Sequence, residues 1–382
     1  MVGFVTVPSI AWGTGALEQL SGLGARRAAI VVDAAVASLE GTRRLIEELE
    51  RGGASATVRS ERAVGPSVGS AGELAAWLRG VDPDWVVAVG GGTTIDSAKA
   101  ARLLFERPEL SLAAPPVDLA LPERPRSRLV AVPTTSGSGA EASWAADLVG
   151  EDGAPLEIAH RSLVPDWAIV DPRFADGLPG PLRVAGALET AALACEAYVS
   201  AWANPFSDAL ATDAVRSVAR RLPHAVRWSD DPDARAALHY AATAAGIAQS
   251  NAQRGLAHAL ARALVRPTGL AYATVLGLVL PSVLDFDRPA ARERLEALAE
   301  TLRLPNDPAG LSVADRLRRL AVHVGAPTDL TAGGATAGSV AADRSRIVAE
   351  TLRSPAVLAN PKVPNAADVE SLLAALLGAP PA

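Results

Sequence analysis

The chain has 382 residues, 49% hydrophobic and 20% charged, which excludes a disordered polypeptide and suits two domains, since single cores stop growing near ~250–300 residues. A formal net charge of -6, spread without acidic or basic blocks, leaves no footprint for nucleic acid or an anionic membrane, so the expected partners are a small molecule and a second copy of the chain. The opening "MVGFVTVPSIAWG" lacks the basic start of a signal peptide, and the single cysteine, Cys195, excludes an intrachain disulfide and a multi-cysteine zinc site; the cytoplasm is the expected compartment.

In chain order, the short apolar runs "AAIVV" (28–32), "WVVAVG" (85–90), "LVAVP" (129–133) and "WAIVD" (167–171) predict strands, with helical segments at 39–52 and 71–80 between them. That alternation predicts an α/β, Rossmann-like N-terminal domain built on a parallel sheet. From about Leu182 the pattern turns to long helices, broken at 203–208, 229–233, 265–269, 304–310 and 325–334, which predicts an all-α C-terminal domain. The turn-rich "ADGLPGP" (175–181) marks the boundary, giving domains 1–178 and 179–382. The most apolar stretch, "GLAYATVLGLVLPSVL", is too short to span a bilayer and contains Pro281, so it reads as a buried helix.

Two strand ends carry chemistry. In "VVAVGGGTTIDSAKA" (86–100) a strand runs into three glycines and then a helix with Asp96 expected in its first turn, a place where free N–H groups and the helix dipole receive a phosphate. The motif is neither the dinucleotide fingerprint G-x-G-x-x-G nor a Walker loop. In "LVAVPTTSGSGAEAS" (129–143) the hydroxyls of Thr134, Thr135 and Ser138 are spaced by glycines, again where open α/β sheets bind ligands. Asp33, ending the strand "AAIVVD", suits a ribose diol and repels a 2′-phosphate, which favours NAD and leaves NADP as the alternative. Further on, "SNAQRGLAHALARALVRPTG" (250–269) sets Arg254, His258 and Arg262 four residues apart, one face of a helix if the whole stretch is helical.

Together these motifs resemble the iron-containing, or group III, alcohol dehydrogenases, related in fold to dehydroquinate synthase. The likeness runs through "VPSIAWGTGALEQL", "GGGTTIDSAK", "VPTTSGSGAEAS", "LVPDWAIVDP", "CEAYVSAWANPFSDALA" and "ANPKVPNAADVESLL" in the family's order. The resemblance implies a dinucleotide held in an interdomain cleft. Gly91, Gly92, Thr93 and Asp96 then fall at the pyrophosphate, Thr134, Thr135 and Ser138 on the nicotinamide side, and Asp33 at the adenosine ribose. Lys99, one of only two lysines with Lys362, matches a family lysine and reads equally as a ligand contact or as packing. A homo-oligomer, a dimer by analogy, is the family expectation.

Such proteins hold a divalent metal with one aspartate and three histidines, and here the pattern breaks. By resemblance those positions are Glu189, Leu193, His258 and Thr268. Leucine offers no lone pair and threonine is a poor neutral ligand, while His160, His224, His239 and His323 show no paired spacing that compensates. No catalytic metal is therefore expected, and the Arg254, His258, Arg262 face, with Glu189, becomes the candidate for polarising a carbonyl or holding an anionic substrate. An Arg262–Glu189 ion pair filling the vacated position is the structural alternative. The expected function is a metal-independent NAD(P)H-dependent reductase or dehydrogenase of a small carbonyl or alcohol, anionic substrates included. The alternatives are a lyase, dehydratase or cyclase using NAD transiently, and a nucleotide-binding pseudoenzyme.

Overall fold

A computed structural model describes residues 3–61, 65–113, 119–304 and 307–377. The chain divides into two compact units, one formed by residues 1–135 and 139–177, the other by residues 136–138 and 178–382.

The first unit contains β1 (Ser9–Trp12), β2 (Arg27–Asp33), α1 (Glu40–Arg51), β3 (Ser55–Glu61), α2 (Val68–Val81), β4 (Trp85–Gly90), α3 (Gly92–Glu106) and β5 (Arg128–Pro133). After these come β6 (Ala145–Val149), β7 (Pro155–Ala159) and β8 (Trp167–Val170). Six strands form an all-parallel sheet in the order β1-β8-β5-β4-β2-β3, and β6 pairs antiparallel with β7. The four strands expected from the sequence are its buried centre, covered on both faces, which is why they read as unbroken apolar runs. In β2, Ala28, Ile30 and Val32 pack with Leu45 and Leu49 of α1, whereas Ala29 and Val31 pack with Leu74 of α2 and Ile95 and Phe105 of α3. The edge strand β3, "SATVRSE", carries too few apolar residues to be read as a strand without its neighbour.

The second unit is helical: α4 (Gly180–Val199), α5 (Pro205–Arg227), α6 (Pro232–Ala252), α7 (Leu256–Thr268), α8 (Tyr272–Thr301), α9 (Val313–His323), α10 (Ala337–Ala342), α11 (Arg344–Arg353) and α12 (Ala366–Leu376). Its core interleaves small and branched residues, with Ala191 and Ala194 of α4 against Ala214 and Val218 of α5 and Val279 and Val283 of α8 in one buried cluster. Two expected breaks shift. The segment 203–208 is not a loop throughout, because Pro205 opens α5 behind an Asn204 capping box, a position where proline's fixed φ and missing N–H suit a helix. The break expected at 265–269 is absorbed into α7, whose last turn contains Pro267 and which stops only at Gly269, φ +69°. Residues 305 and 306 of the expected 304–310 break lie outside the described residues. The apolar stretch around Pro281 belongs to α8, and no described helix is long and apolar enough to cross a membrane.

Candidate functional site

In the first unit, the order of strands across the sheet reverses between β2 and β4: the connection from β2 leads outward to β3, and that from β4 leads the other way to β5. The carboxyl ends of strands flanking such a switch point form the crevice where open α/β sheets bind ligands. Asp33 ends β2 there, half-buried, one carboxylate oxygen accepting the Ala35 N–H at 2.9 Å. At the end of β4, Gly91 caps α3 without a side-chain hydrogen bond, so backbone N–H groups stand at the helix start. Close packing demands the glycines: a Cβ on Gly90 would lie 2.5 Å from Thr94, and one on Gly91 would lie 3.1 Å from Thr135. The neighbouring β5 loop is tied to the same place by the Thr134 N–H bonding to the Gly90 carbonyl at 3.0 Å. Gly91, Gly92, Thr93 and Thr135 are half-buried, whereas Thr134 is buried.

Two of the expected cofactor residues are placed differently. Asp96 is not in the first turn, because α3 already begins at Gly92; its carboxylate is buried and accepts the Asp147 N–H at 3.1 Å. Lys99 does not present its ammonium as a ligand contact. It is 1% exposed and donates to the Ser143 carbonyl at 2.7 Å, the Ser143 hydroxyl at 2.9 Å and the Ala145 carbonyl at 2.9 Å, so all three of its donors are engaged. Both groups tie α3 to the segment leading into β6.

In the second unit, residues 136–138 lie against α4. A Cβ on Gly137 would fall 2.5 Å from Glu189 Oε2 and 2.9 Å from the Gly186 Cα, and the Thr190 hydroxyl donates to the Gly137 carbonyl at 3.3 Å. Ser136, beside the expected Ser138, bonds His239 Nδ1 at 3.0 Å, a buried pair that sequence spacing did not suggest. Glu189 is buried at 8% exposure, and Leu193, one turn on, is sealed in the helical core.

The Arg254, His258, Arg262 face is only partly a helix face. α6 ends at Ala252, Gln253 adopts φ +67°, and α7 starts at Leu256, which leaves Arg254 in the turn between helices. Its guanidinium nevertheless reaches back to donate to His258 Nε2 at 2.9 Å. Gln249, with its amide oxygen turned to the guanidinium, accepts from Arg254 Nε and, at 3.3 Å, from Nη2. The other imidazole nitrogen, Nδ1, bonds the Tyr272 hydroxyl at 2.6 Å, with the rings edge to face at 5.6 Å. His258 is 2% exposed, whereas Tyr272 is half-buried, as is Arg262 one turn beyond His258 on α7. The Thr268 hydroxyl donates to the Leu264 carbonyl at 2.6 Å and accepts the Leu270 N–H at 3.3 Å, so it finishes the helix.

The start of α7 is held by side chains from α4 and from the segment after α11, because its own cap, Gly255, has none. Glu196 of α4 accepts the His258 N–H at 3.1 Å, and Asn360 accepts the Leu256 N–H at 2.9 Å while donating to Asp287 of α8 at 2.6 Å. A Cβ on Gly255 would come within 2.8 Å of both Asn360 and Glu196, so glycine is required by close approach. Burial pushes the Glu196 carboxyl up to about 7 against the bonds from His258, Gly255 and Ala257, and burial likewise pushes Asp287 up to about 7. Burial also raises the Cys195 thiol beside Glu196, leaving it inert near neutrality. Glu196 and Asn360 sit inside segments already singled out by motif and Tyr272 inside the apolar stretch, whereas Gln249 lies one residue before the 250–269 segment, and no spacing rule connects the four.

Comparisons with known proteins agree along the chain. Residues 8–172 match the family model "Iron-containing alcohol dehydrogenase", and residues 183–377 match "Fe-containing alcohol dehydrogenase family, C-terminal". The probable alcohol dehydrogenase EutG of Escherichia coli is 37% identical over 233 residues, 60% of this chain and 58% of that protein, so this match spans less than two thirds of the relative. The 4-hydroxybutyrate dehydrogenase of Cupriavidus necator is 30% identical over 92% of both chains. Among solved structures, the iron-containing alcohol dehydrogenase of Thermococcus thioreducens superposes with a TM-score of 0.89 at 28% identity, covering 98% of this chain and 100% of that one.

Proposed function

The chain belongs to the iron-containing alcohol dehydrogenase family, and on that premise we propose that it is a metal-independent, NAD(P)H-dependent reductase or dehydrogenase of a small carbonyl or alcohol. The nucleotide is assigned to residues 1–178, with Gly91, Gly92 and Thr93 at the pyrophosphate, Thr134, Thr135 and Ser138 towards the nicotinamide, and Asp33 at the ribose. The carboxylate of Asp33 favours NAD over NADP by repelling a 2′-phosphate. When bound, the reduced nicotinamide supplies a hydride; the protein must orient the carbonyl, polarise it and provide a proton.

One observation carries the metal-independent reading: His258 meets a guanidinium at one ring nitrogen and a tyrosine hydroxyl at the other. A cation at Nε2 would have to displace the Arg254 N–H and stand beside its charge, which is repulsive at any local dielectric. The companion positions offer little instead, with Leu193 in the core and the Thr268 hydroxyl engaged by its own helix. Without a Lewis acid, polarisation falls to the Arg254, His258, Arg262 group: a charge-assisted hydrogen bond from the Arg262 guanidinium, about 1.5–3 kcal/mol, and the groups that Arg254 and His258 hold in place. The positive charge of half-buried Arg262 also suits a carboxylate, and 4-hydroxybutyrate, for which a relative is named, carries one.

The test begins with protein purified without added metal and treated with chelator, titrated with NADH and NADPH by nicotinamide fluorescence. Saturable binding, tighter for NADH, is expected, followed by chelator-insensitive consumption of NADH with a four-carbon aldehyde, neutral or bearing a carboxylate. Stoichiometric metal lost on Glu189→Ala or His258→Ala would sink metal independence. So would metal lost on removing Asp147 or Glu157, the carboxylates that face each other across β6 and β7. Product formed without net NADH consumption would instead favour a lyase or cyclase that uses NAD transiently.

A further inference from the structure

The hydrogen bonds at His258 fix more than its orientation. A guanidinium has only donors, so Arg254 Nη1 at 2.9 Å makes His258 Nε2 an acceptor, which requires a lone pair there. An imidazole with a lone pair on Nε2 carries its proton on Nδ1, and that proton is donated to the Tyr272 hydroxyl oxygen at 2.6 Å. Because the oxygen of Tyr272 receives the histidine proton, its own O–H is directed to another acceptor. The bonds therefore run one way, from Gln249-anchored Arg254 through buried His258 to half-buried Tyr272. Such a chain polarises each link in the same sense.

We propose that Tyr272 is the catalytic proton donor of this enzyme, with His258 and Arg254 as the positioning residues that hold it and stabilise its anion. The proposal rests on the reductase reading and names the group that serves the product oxygen. As the carbonyl carbon receives the hydride pair, the π pair of the C=O bond moves to oxygen. The O–H bond of Tyr272 breaks and an O–H bond forms on that oxygen, giving the alcohol. The tyrosinate left behind accepts the Nδ1–H of His258, and the Arg254 charge lies one ring further back; solvent returns the proton after product leaves. In alcohol oxidation the same tyrosinate takes the proton. Sequence spacing pointed to His258 as the group facing substrate, but its burial and double engagement put it behind Tyr272.

Two measurements test this on the full-length protein. Imidazole nitrogen NMR reads the tautomer without any substrate: one of the five histidines should be fixed as the Nδ1–H form, absent in His258→Gln and released in Arg254→Gln. Finding His258 as the Nε2–H form or doubly protonated overturns the chain of donors. Turnover of NADH with butanal and with a four-carbon semialdehyde carboxylate reads the chemistry. Tyr272→Phe, which removes one oxygen, should lower kcat by roughly 10²–10⁴-fold and abolish the solvent deuterium isotope effect while leaving the NADH dissociation constant within about twofold. Wild-type reduction with Tyr272→Phe undiminished removes Tyr272 from its role and leaves the reductase reading intact. NADH binding with no reduction of either aldehyde by wild type removes the reductase reading, and the proton donor with it.

Discussion

The loops after β4 and β5 and the cluster around the start of α7 are built in opposite ways. The loops work with backbone: Gly90 and Gly91 are present because a Cβ would meet Thr94 and Thr135, and what they expose at the head of α3 is the peptide N–H itself. The α7 cluster works with side chains drawn from three other helices and two connecting segments, in which Glu196, Gln249, Arg254, Tyr272, Asp287 and Asn360 converge on one helical turn. A backbone site is written in a few consecutive residues, whereas a side-chain site depends on packing.

That contrast is open to attack, starting from its largest expected effect. His258→Ala removes the link between Arg254 and Tyr272, so kcat should fall by roughly 10²–10⁴-fold with NADH affinity near wild type; steady-state kinetics paired with fluorescence titration separate the two, and a parallel loss of affinity would join the two regions into one. Lys99→Ala should behave oppositely, costing roughly 3 kcal/mol of stability by orphaning buried partners. Denaturant unfolding measures that, and the surviving folded protein should bind NADH normally, because Lys99 is packing and not cradle.

A subtler effect concerns pH. Glu196 has a folded value of about 7 against an ordinary 4.5, the reverse of a salt-bridged carboxylate. Between those values the native state holds a proton that the unfolded state has released, so stability falls as pH rises from about 4.5 to 7 and then levels, by on the order of 3 kcal/mol. Asp287, raised by burial and by the charge of Glu196, adds to the same slope. Glu196→Gln should flatten it in urea unfolding followed across that range, and an unchanged slope would mean the buried acids are not its source. Smallest of all, Asp33→Ser should narrow the preference for NADH over NADPH by about tenfold or less, about 1.4 kcal/mol for a lost charge repulsion at a half-buried site; the ratio of the two dissociation constants reads it directly.

The parts that were legible share a physical property. The four central strands announce themselves because both faces are covered, and the glycines at 90–92 because a strand meeting a helix at a tight turn allows little else. The same reasoning placed Asp96 one turn too early and left Lys99 undecided, since a helix start and a lysine's partners depend on the segment at 143–147 that folds against them. It also read Arg254, His258 and Arg262 as one helix face, and the positive φ of Gln253 defeats that reading while the length of the arginine side chain preserves the contact.

The sequence by itself determined the layer order and the glycine turns that end the central strands, both of which follow from hydrophobic period and glycine geometry. Only the tertiary structure decided that Tyr272, fourteen residues from His258, meets its imidazole, that Glu196 and Asn360 cap a helix distant in sequence, and that Lys99 is buried. Those outcomes depend on which side chains share a desolvated volume, where an unpaired donor is costly. No one-dimensional spacing encodes that volume.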